Sequence, residues 1–311
     1  MKFSIITPAY NMEKWISPTI ESVLTQEGDF EIEYIVVIDK SSDATLTIVQ
    51  EYADRVSAGT YPVRCRSVQM HIIEPEKQSG MYTALTTGFS RATGDVYAWL
   101  AADDLYRPGG LAAIATVFAA FPHIEWLKGT SGVIDEEGKE LYPGSAKLYQ
   151  QSWIRAGIYG MEAYHIEQDS VFWRAELWKK VGAFPEHFRS MGDYWLWLQF
   201  SKYARLWTLE TPVSYFRKRA DQDSKVYAER CRHSMWEARG NRRPLLAWLA
   251  RLYFYPYYHI PLIPRAIWEK AYFICFPFHT RLYISLENGT PTIQHASSFS
   301  IPYRKDSQDK K

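Results

Sequence analysis

Short apolar runs and amphipathic segments alternate through the first hundred residues of the chain. The runs are rich in Val, Ile and aromatic residues, which is typical of strands buried on both faces. The segments between them begin with helix-start residues such as Ser17-Pro18 and Ser42-Asp43. The pattern predicts strands at Phe3–Thr7, Tyr34–Asp39, Val68–Ile73 and Val96–Ala101, with helices between them, the third at Ser79–Ala92. Alternating strands and helices form a mainly parallel sheet flanked by helices, so the predicted fold class is α/β and Rossmann-like.

After Phe121 the pattern is mixed. It predicts strands at Trp126–Gly132, Glu140–Tyr142, Arg205–Thr211 and Val213–Phe216, the last two separated by Pro212, and an aromatic helix at Asp193–Tyr203. We therefore expect a catalytic domain at 1–230, with halves 1–121 and 122–230, the second of mixed α+β structure. A helical extension at 231–296 and a polar, frayed tail at 297–311 would follow it.

Composition is that of an ordinary globular protein. The 311 residues suffice for one large α/β domain with an extra element, or for two smaller domains. Cys65, Cys231 and Cys275 are odd in number and far apart, so they predict neither a disulfide framework nor a zinc site. The stretch from Met1 to Pro8 is too short for a signal peptide, and no apolar run reaches the roughly 20 residues of a membrane helix. These features favour a cytoplasmic protein.

Charge is balanced over the chain, with 36 Lys and Arg against 35 Asp and Glu, but it is not evenly distributed. The segment from 239 to 281 has one acid, Glu269, and many aromatic residues. Its basic residues are Arg239, Arg242, Arg243, Arg251, Arg265, Lys270 and Arg281. Such a composition suits a membrane surface or a nucleic-acid strand, and Pro256, Pro261, Pro264 and Pro277 exclude one long helix. We expect amphipathic helices resting on the inner face of the plasma membrane; the alternative is aromatic residues that only complete the core.

Two adjacent carboxylates, Asp103 and Asp104, follow the apolar run that ends at Ala102. The carboxyl ends of parallel strands are where open α/β sheets bind ligands. Adjacent carboxylates repel each other unless a cation lies between them, and a divalent metal is the usual solution. The pair therefore predicts a metal site, with a solvated Asp-Asp turn as the simpler alternative.

Four segments in the same order resemble the family 2 glycosyltransferases with a GT-A fold, and most of all those that build bacterial surface polysaccharides. The segments are Ile5 to Asn11, Val36 to Thr45, Gly80 to Gly88, and Gly94 to Asp104. The resemblance covers roughly the first 220 residues and implies a nucleotide-sugar donor, UDP-linked above all. It also implies a divalent metal, Mn²⁺ or Mg²⁺, and a glycan or lipid-linked acceptor; it implies no nucleic acid as partner.

The resemblance assigns donor contacts residue by residue. Tyr10 would stack on the base, Asp39 would accept the hydrogen bond of uracil N3–H, and Asp103, with Asp104, would hold the metal that bridges the diphosphate. The remaining donor-side residues are Thr7, Pro8, Ser41, Gly80, Tyr82 and Arg217. A capping role is the alternative for Asp39.

The segment Met191 to Leu198 resembles the part of the family that carries the catalytic base, which places that role on Asp193. An inverting transfer needs one carboxylate to take the proton of the acceptor hydroxyl. Gln168 and Trp195 would lie on the acceptor side. The alternative for Asp193 is a plain helix N-cap.

The chain departs from the family pattern at several positions. Lys40 replaces a glycine, so its backbone should avoid positive φ. Thr83, Thr86 and Ala101 replace acidic or amide residues, and Gly192 replaces an acid before the base. Arg217-Lys218-Arg219 lacks the histidine that relatives often place there. Weak or altered metal affinity would follow from these losses.

Other functional classes explain the chain less well. A nicotinamide oxidoreductase would need a G-x-G-x-x-G turn after the first strand, where Thr7 to Asn11 has none. A nucleotidyltransferase would need a loop rich in Gly, Lys and Arg at the same place. A degenerate glycosyltransferase that only binds nucleotide sugars or acts as a scaffold remains the alternative to an active inverting enzyme.

Overall fold

A large twisted sheet forms the centre of the protein in the computed structural model, which describes residues 1–220, 222, 228–240, 244–260 and 264–302. In these residues the sheet has eleven strands, and β1 to β4 (Lys2–Ala9, Gly28–Ile38, Cys65–Ile73 and Val96–Trp99) run parallel. Ile5 of β1 pairs with Tyr34 on one side and Ala98 on the other. The predicted α/β class and its first four strands are confirmed.

Strand order explains where a ligand can bind. In the sheet, β2 and β3 follow one another on one side of β1, and β4 lies on the other side, so the chain moves outward from β1 in one direction and then returns to place β4 beside β1. Such a reversal leaves a crevice outside the carboxyl ends of the two strands. The residues after Ala9 and Trp99 border that crevice.

Helices cover both faces of the sheet and divide the core into two clusters. The face of Ile5 and Val36 is covered by α1 (Ile16–Leu24), α2 (Thr45–Ser57) and α4 (Gly110–Ala120). The face of Ile6 and Val37 is covered by α3 (Met81–Arg91), α6 (Ala175–Lys179) and α7 (Gly192–Phe200). Alternate residues of each strand point to opposite faces, so both faces bury apolar side chains.

The second half completes the sheet. Its strands are β5 (Leu105–Tyr106), β6 (Trp126–Ile134), β7 (Glu140–Tyr142), β8 (Ser145–Lys147), β9 (Val171–Arg174) and β10 (Leu206–Arg217), with α5 at Gln151–Arg155 and a 3₁₀ helix at Gln168–Ser170. The expectation of two strands separated by Pro212 is wrong, because β10 is continuous and takes up the proline at a register shift against β6. A bulge is where a sheet tolerates the missing N–H.

The carboxyl-terminal segment contains α8 (Ala228–Arg239), α9 (Pro244–His259), α10 (Arg265–Cys275), β11 (Leu282–Glu287), β12 (Thr290–His295) and β13 (Ser300–Pro302). The expected all-helical extension is therefore corrected, since β11 and β12 add to the sheet beside β10. The expected frayed tail is corrected at its start, where Phe299 is buried and β13 pairs with β8. Arg242, Arg243, Pro261 and residues 303–311 lie outside the described residues. Among the described helices, none combines the length and the apolarity needed to cross a membrane.

Candidate functional site

Two loops at the carboxyl edge of the sheet are joined by reciprocal hydrogen bonds. The Asn11 side chain accepts from the Ser42 N–H at 2.8 Å, and the Asn11 N–H donates to the Ser41 hydroxyl at 3.1 Å. Glu13 also joins the two loops. Its N–H donates to the Asp43 carboxylate at 3.0 Å, and its own carboxylate accepts from the Ala44 N–H at 2.9 Å. The loops after β1 and β2 therefore form one rigid rim.

Asp39 lies at the end of β2 and is buried. One of its oxygens accepts from the Ser79 N–H at 2.8 Å and the other from the Gly80 N–H at 2.7 Å. Gly80 has φ +85°, which a residue with a side chain rarely adopts. The Ser79 hydroxyl donates a third bond to Asp39 at 3.1 Å. A carboxylate has about four acceptor positions, so Asp39 fixes the entry to α3 and retains capacity for one further donor.

The structure corrects the expectation for Lys40 at this rim and shows where Thr7, Pro8 and Tyr10 lie. Lys40 has φ +61°, so the expectation that its backbone avoids positive φ is wrong; its N–H bonds to the Ile38 carbonyl and its side chain is exposed. Thr7 lies inside β1, and its hydroxyl accepts from the buried Tyr34 hydroxyl at 3.0 Å, so its side chain faces the core. Pro8 pairs with Val37, while Tyr10 is exposed beyond the strand end.

Asp103 and Asp104 are both buried, which excludes the solvated-turn interpretation. The Asp103 carboxylate pairs with the Arg219 Nε at 2.7 Å. The Asp104 carboxylate accepts from the Arg217 N–H at 2.8 Å. Burial raises the pKa of Asp103 and raises that of Asp104 further, since Asp104 also lies near Asp103 and Asp169. The two carboxylates therefore have different partners. Asp104 binds the main chain at the end of β10, and Asp103 binds the guanidinium group of Arg219.

The Arg217 guanidinium is buried and bonded to the main chain. Its Nε donates to the Asp103 carbonyl at 2.9 Å, and its Nη1 donates to the carbonyls of Asp135 and Glu136 at 3.0 Å each. Both guanidinium groups lie over the Trp15 ring, with the guanidinium carbons of Arg217 and Arg219 at 5.1 and 5.8 Å from the ring centroid. Arg217 thus positions the Asp103 loop, and Arg219 is the arginine beside the Asp103 carboxylate.

The candidate base Asp193 lies in the first turn of α7, whose N-cap is Met191, so the N-cap interpretation of Asp193 does not hold. Burial raises the pKa of Asp193. The preceding Gly192 faces Tyr82 of α3: a Cβ on Gly192 would lie 2.5 Å from the Tyr82 ring. The contact brings α7 against the start of α3, the element that Asp39 fixes.

A narrow cavity with room for about one water-sized group lies beside Asp193. His165, Tyr159 and Trp197 contribute to its walls. Gln168 follows on the same segment and donates its amide N–H to the Trp99 carbonyl at 2.6 Å, next to the loop of Asp103. Trp195 packs on Phe184 and Phe188. The segment around 165–168 therefore connects the surroundings of Asp193 with the end of β4.

The sequence reasoning missed a buried polar group under this segment. The Lys128 ammonium is buried and pairs with Glu167 at 2.9 Å, and Lys147 approaches the same carboxylate at 3.2 Å. These two cations lower the pKa of Glu167 despite its burial. Asp169, also buried, accepts hydrogen bonds from the hydroxyls of Ser131 and Ser214. A lone lysine within the apolar strand Trp126–Gly132 was the available signal, because a buried ammonium needs a partner.

A second cavity, of about 330 Å³, lies on the other side of the same segment. Tyr164, Tyr257, Tyr258 and Phe299 give it aromatic walls. Lys147, Arg265 and Glu269 supply charged groups. No sequence pattern indicates this cavity, because its walls come together from β8, α9, α10, β13 and the loop of Tyr164.

Among the described residues, no three His, Cys, Asp or Glu side chains gather in a way that could hold a metal ion alone. A metal bound together with a diphosphate needs only one or two protein carboxylates, because phosphate oxygens and water fill its other positions. Asp103 meets that requirement, and Arg219 is the cation with which a metal would compete.

The chain is similar in sequence to known glycosyltransferases. A sequence model described as glycosyl transferase family 2 matches residues 4–143. An uncharacterised glycosyltransferase from Rickettsia typhi is 27% identical over 199 residues, covering 63% of this chain and 58% of that protein. A putative teichuronic acid biosynthesis glycosyltransferase, TuaG of Bacillus subtilis, is 33% identical over 104 residues, covering 33% of this chain and 36% of that protein. For the first three curated relatives, the matched part of the chain spans 46% to 60% of their length.

Solved structures share the fold. TarS 1-349 of S. aureus in complex with UDP-GlcNAc superimposes with a TM-score of 0.59 at 16% identity, over 98% of this chain and 99% of that one. The mannosyltransferase PcManGT of Pyrobaculum calidifontis, in complex with GDP-Man and Mn²⁺, superimposes with a TM-score of 0.56 at 18% identity, over 88% of this chain and 74% of that one. The GT-A arrangement predicted for this chain is thereby confirmed.

Proposed function

We propose that the protein, whose residues 4–143 match the model of glycosyl transferase family 2, is an inverting glycosyltransferase. It moves a sugar from a nucleoside diphosphate sugar, a UDP-sugar first of all, to a hydroxyl of a glycan or a lipid-linked oligosaccharide. The observation that supports the proposal is the contact between Gly192 and Tyr82, which sets α7, with the half-buried carboxylate of Asp193 in its first turn, against α3, the helix whose start is held by Asp39.

The base of the donor lies at the rim formed by the loops after β1 and β2. Tyr10 is exposed there and offers a flat ring for stacking. Asp39 retains an acceptor position for the N–H of a pyrimidine base while holding Ser79 and Gly80. Ser41 and Pro8 shape the rim, and the buried Thr7 supports it from the core.

The diphosphate lies beside the ion pair of Asp103 and Arg219. A divalent metal held by Asp103 together with the phosphates would neutralise the charge that develops on the leaving nucleotide. Arg219 lies at the same place and adds a second positive charge. Asp104 and Arg217 hold this loop by their hydrogen bonds to each other and to the main chain.

The transfer itself needs one proton acceptor. As the acceptor oxygen bonds to the anomeric carbon, its proton passes to the Asp193 carboxylate, and the bond from that carbon to the diphosphate breaks. Burial raises the pKa of Asp193, and a base whose pKa lies closer to neutrality accepts a proton more readily. Attack on the face opposite the leaving group inverts the configuration.

The acceptor approaches along the segment that carries His165 and Gln168. Gln168 is fixed at the end of β4, and Trp195 lies in the same helix as Asp193. The larger cavity beyond Tyr164 has aromatic and charged walls, which suit sugar rings and their hydroxyl groups. The relation to a putative teichuronic acid enzyme supports an acceptor of the surface-polysaccharide kind.

A donor screen tests the proposal. The purified protein is incubated with UDP-, GDP- and dTDP-sugars, with Mn²⁺ and with a chelator, and nucleotide release is measured. Release with one nucleotide class that disappears in Asp193→Asn supports the enzyme. Binding of a nucleotide sugar by calorimetry without any release in every condition would instead favour the scaffold alternative.

A further inference from the structure

Helix α9 is apolar on two opposite sides. One side, with Ala250, Tyr253 and Phe254, is buried against the rest of the protein. The other side is exposed and carries Leu245, Trp248, Leu249, Leu252 and Tyr255. These positions are spaced by three, four and seven residues, so they form one stripe along the helix. A stripe of this kind normally faces a core.

Helix α10 and the turn after it extend the exposed apolar surface. Tyr272 and Phe273 are buried, and the Tyr272 ring contacts Tyr253 and Phe254, whereas Ile267 and Ile274 are exposed. Phe278, in the turn after α10, is 99% exposed. Because aromatic residues fix both helices to the catalytic core from within, the outer side is a rigid platform. We call the exposed side chains of residues 245–278 the outer face.

The outer face carries an unusually large share of the exposed apolar side chains of this molecule. Among the described residues, eighteen large apolar side chains are exposed, and ten of them lie between 245 and 278. Scattered exposed apolar residues need no explanation, but a contiguous group marks an interaction surface.

Charge indicates what the surface contacts. Arg251, Arg265, Lys270 and Arg281 are exposed in the same segment, and Arg251 also lies 3.6 Å from the buried Glu162 carboxylate. The one acid of the segment, Glu269, is half-buried and accepts from the Tyr257 hydroxyl at 3.0 Å. A second copy of the chain would bring these cations against their equivalents, which is unfavourable. A layer of anionic lipid offers apolar tails for the stripe and negative head groups for its cationic border.

We propose that the outer face of α9 and α10 lies in the surface of an anionic lipid bilayer, with Trp248, Leu252 and Phe278 inserted below the head groups. Both helices would lie in the plane of the membrane. Tyr164 packs on Phe254 from within at 5.7 Å and is followed by His165 beside Asp193. If the proposed transfer holds, this platform would place the acceptor side near lipid-linked substrates. The membrane contact itself does not depend on that activity.

Vesicle flotation tests the contact with a matched pair of variants. Vesicles of phosphatidylcholine with and without about one third phosphatidylglycerol are mixed with the full chain at low and high salt. We expect wild type to float with the anionic vesicles at low salt and to be released in part by salt. The double variant Trp248→Ser/Leu252→Ser should lose at least about tenfold in vesicle affinity, because apolar burial drives insertion.

The control is the double variant Tyr142→Ser/Tyr203→Ser. Trp248 and Leu252 are 56% and 54% exposed, and Tyr142 and Tyr203 are 56% and 51% exposed, so the two variants remove similar exposed surface. The control should float like wild type, and thermal melts should show that all variants fold. Nucleotide release during sugar transfer to a water-soluble acceptor, or during hydrolysis of the donor, measures the proposed activity separately.

Three results overturn the proposal. In the first, wild type fails to float with anionic vesicles at low salt, and in the second, the Trp248/Leu252 variant floats as well as wild type. The third result is a dimer in sedimentation that the same variant dissociates while vesicles remain unbound, which would assign the outer face to self-association.

Discussion

Gly192 lies directly against the ring of Tyr82, so close that a Cβ on the glycine would be 2.5 Å from a ring atom. Tyr82 lies in the first turn of α3 and Gly192 begins α7, so this contact fixes the candidate base relative to the start of α3. It also accounts for the glycine, since the acidic side chain expected at this position from the family pattern would have no space.

Replacement of Gly192 by alanine should disturb this junction. Overpacking of a buried contact costs about 1–3 kcal/mol of the free energy of unfolding, and the shift of Asp193 should lower kcat. Chemical denaturation and nucleotide-release assays measure the two effects. Combination with Tyr82→Leu should restore part of the stability, whereas purely additive losses would show that the ring is not the obstacle.

Asp193→Asn should lower kcat by about 10²–10⁴-fold, as expected for loss of a general base. Donor binding by calorimetry should stay unchanged, because the carboxylate contacts the acceptor and not the donor. Proton NMR couplings of the wild-type product should report inversion at the anomeric carbon. A product that keeps the donor configuration refutes the mechanism.

Asp39→Ala should weaken donor binding more than it lowers kcat. The variant removes the acceptor for the base and also releases the N–H groups of Ser79 and Gly80. Calorimetry with UDP and with a GDP-linked donor measures the effect on each base. An unchanged dissociation constant for UDP contradicts the assignment.

Arg219 should compete with a divalent metal for Asp103, since its Nε lies 2.7 Å from that carboxylate. Arg219→Met should therefore lower the Mn²⁺ concentration needed for half-maximal binding in the presence of UDP, while raising the KM for the donor. Lys218→Met is the control, because Lys218 is exposed and its ammonium lies over the Tyr142 ring at 5.1 Å. Asp103→Ala should abolish transfer, and full activity of Asp103→Asn at saturating metal would falsify the site.

Glu33 should make the protein sensitive to acid. Burial raises the pKa of its carboxyl, but bonds from Ser4, Thr93 and Lys2 outweigh burial and lower that pKa to about 2. The ordinary pKa of the group in an unfolded chain is near 4.5, so its contribution is complete above that value and is lost as pH falls toward 2.

Urea titrations between pH 2 and 7 follow this loss. Glu33→Gln should flatten the dependence below about pH 4.5, while Glu31→Gln, on the same strand and more exposed, should leave it nearly unchanged. Identical slopes for wild type and Glu33→Gln would show that other carboxyls govern the acid transition.

Local pattern was sufficient to predict much of this molecule. Apolar runs separated by amphipathic helices fix a parallel sheet, because each run can be buried only when both faces are covered. Asp39 and Asp103 follow such runs, so their place at the carboxyl edge was predictable, as was the position of Asp193 at the start of an aromatic helix.

Long-range contacts were decided only by the tertiary structure. The partners of the carboxylates, Arg219 for Asp103 and the Arg217 N–H for Asp104, are more than a hundred residues away in the chain. The pairing of β13 with β8 and the buried ion pair of Lys128 with Glu167 are of the same kind. In α9 the two apolar sides are alike in sequence, and only packing determines that Tyr253 is buried while Trp248 is exposed. A periodicity records which residues share a face of an element, but it does not record which other element, or which surface, that face meets.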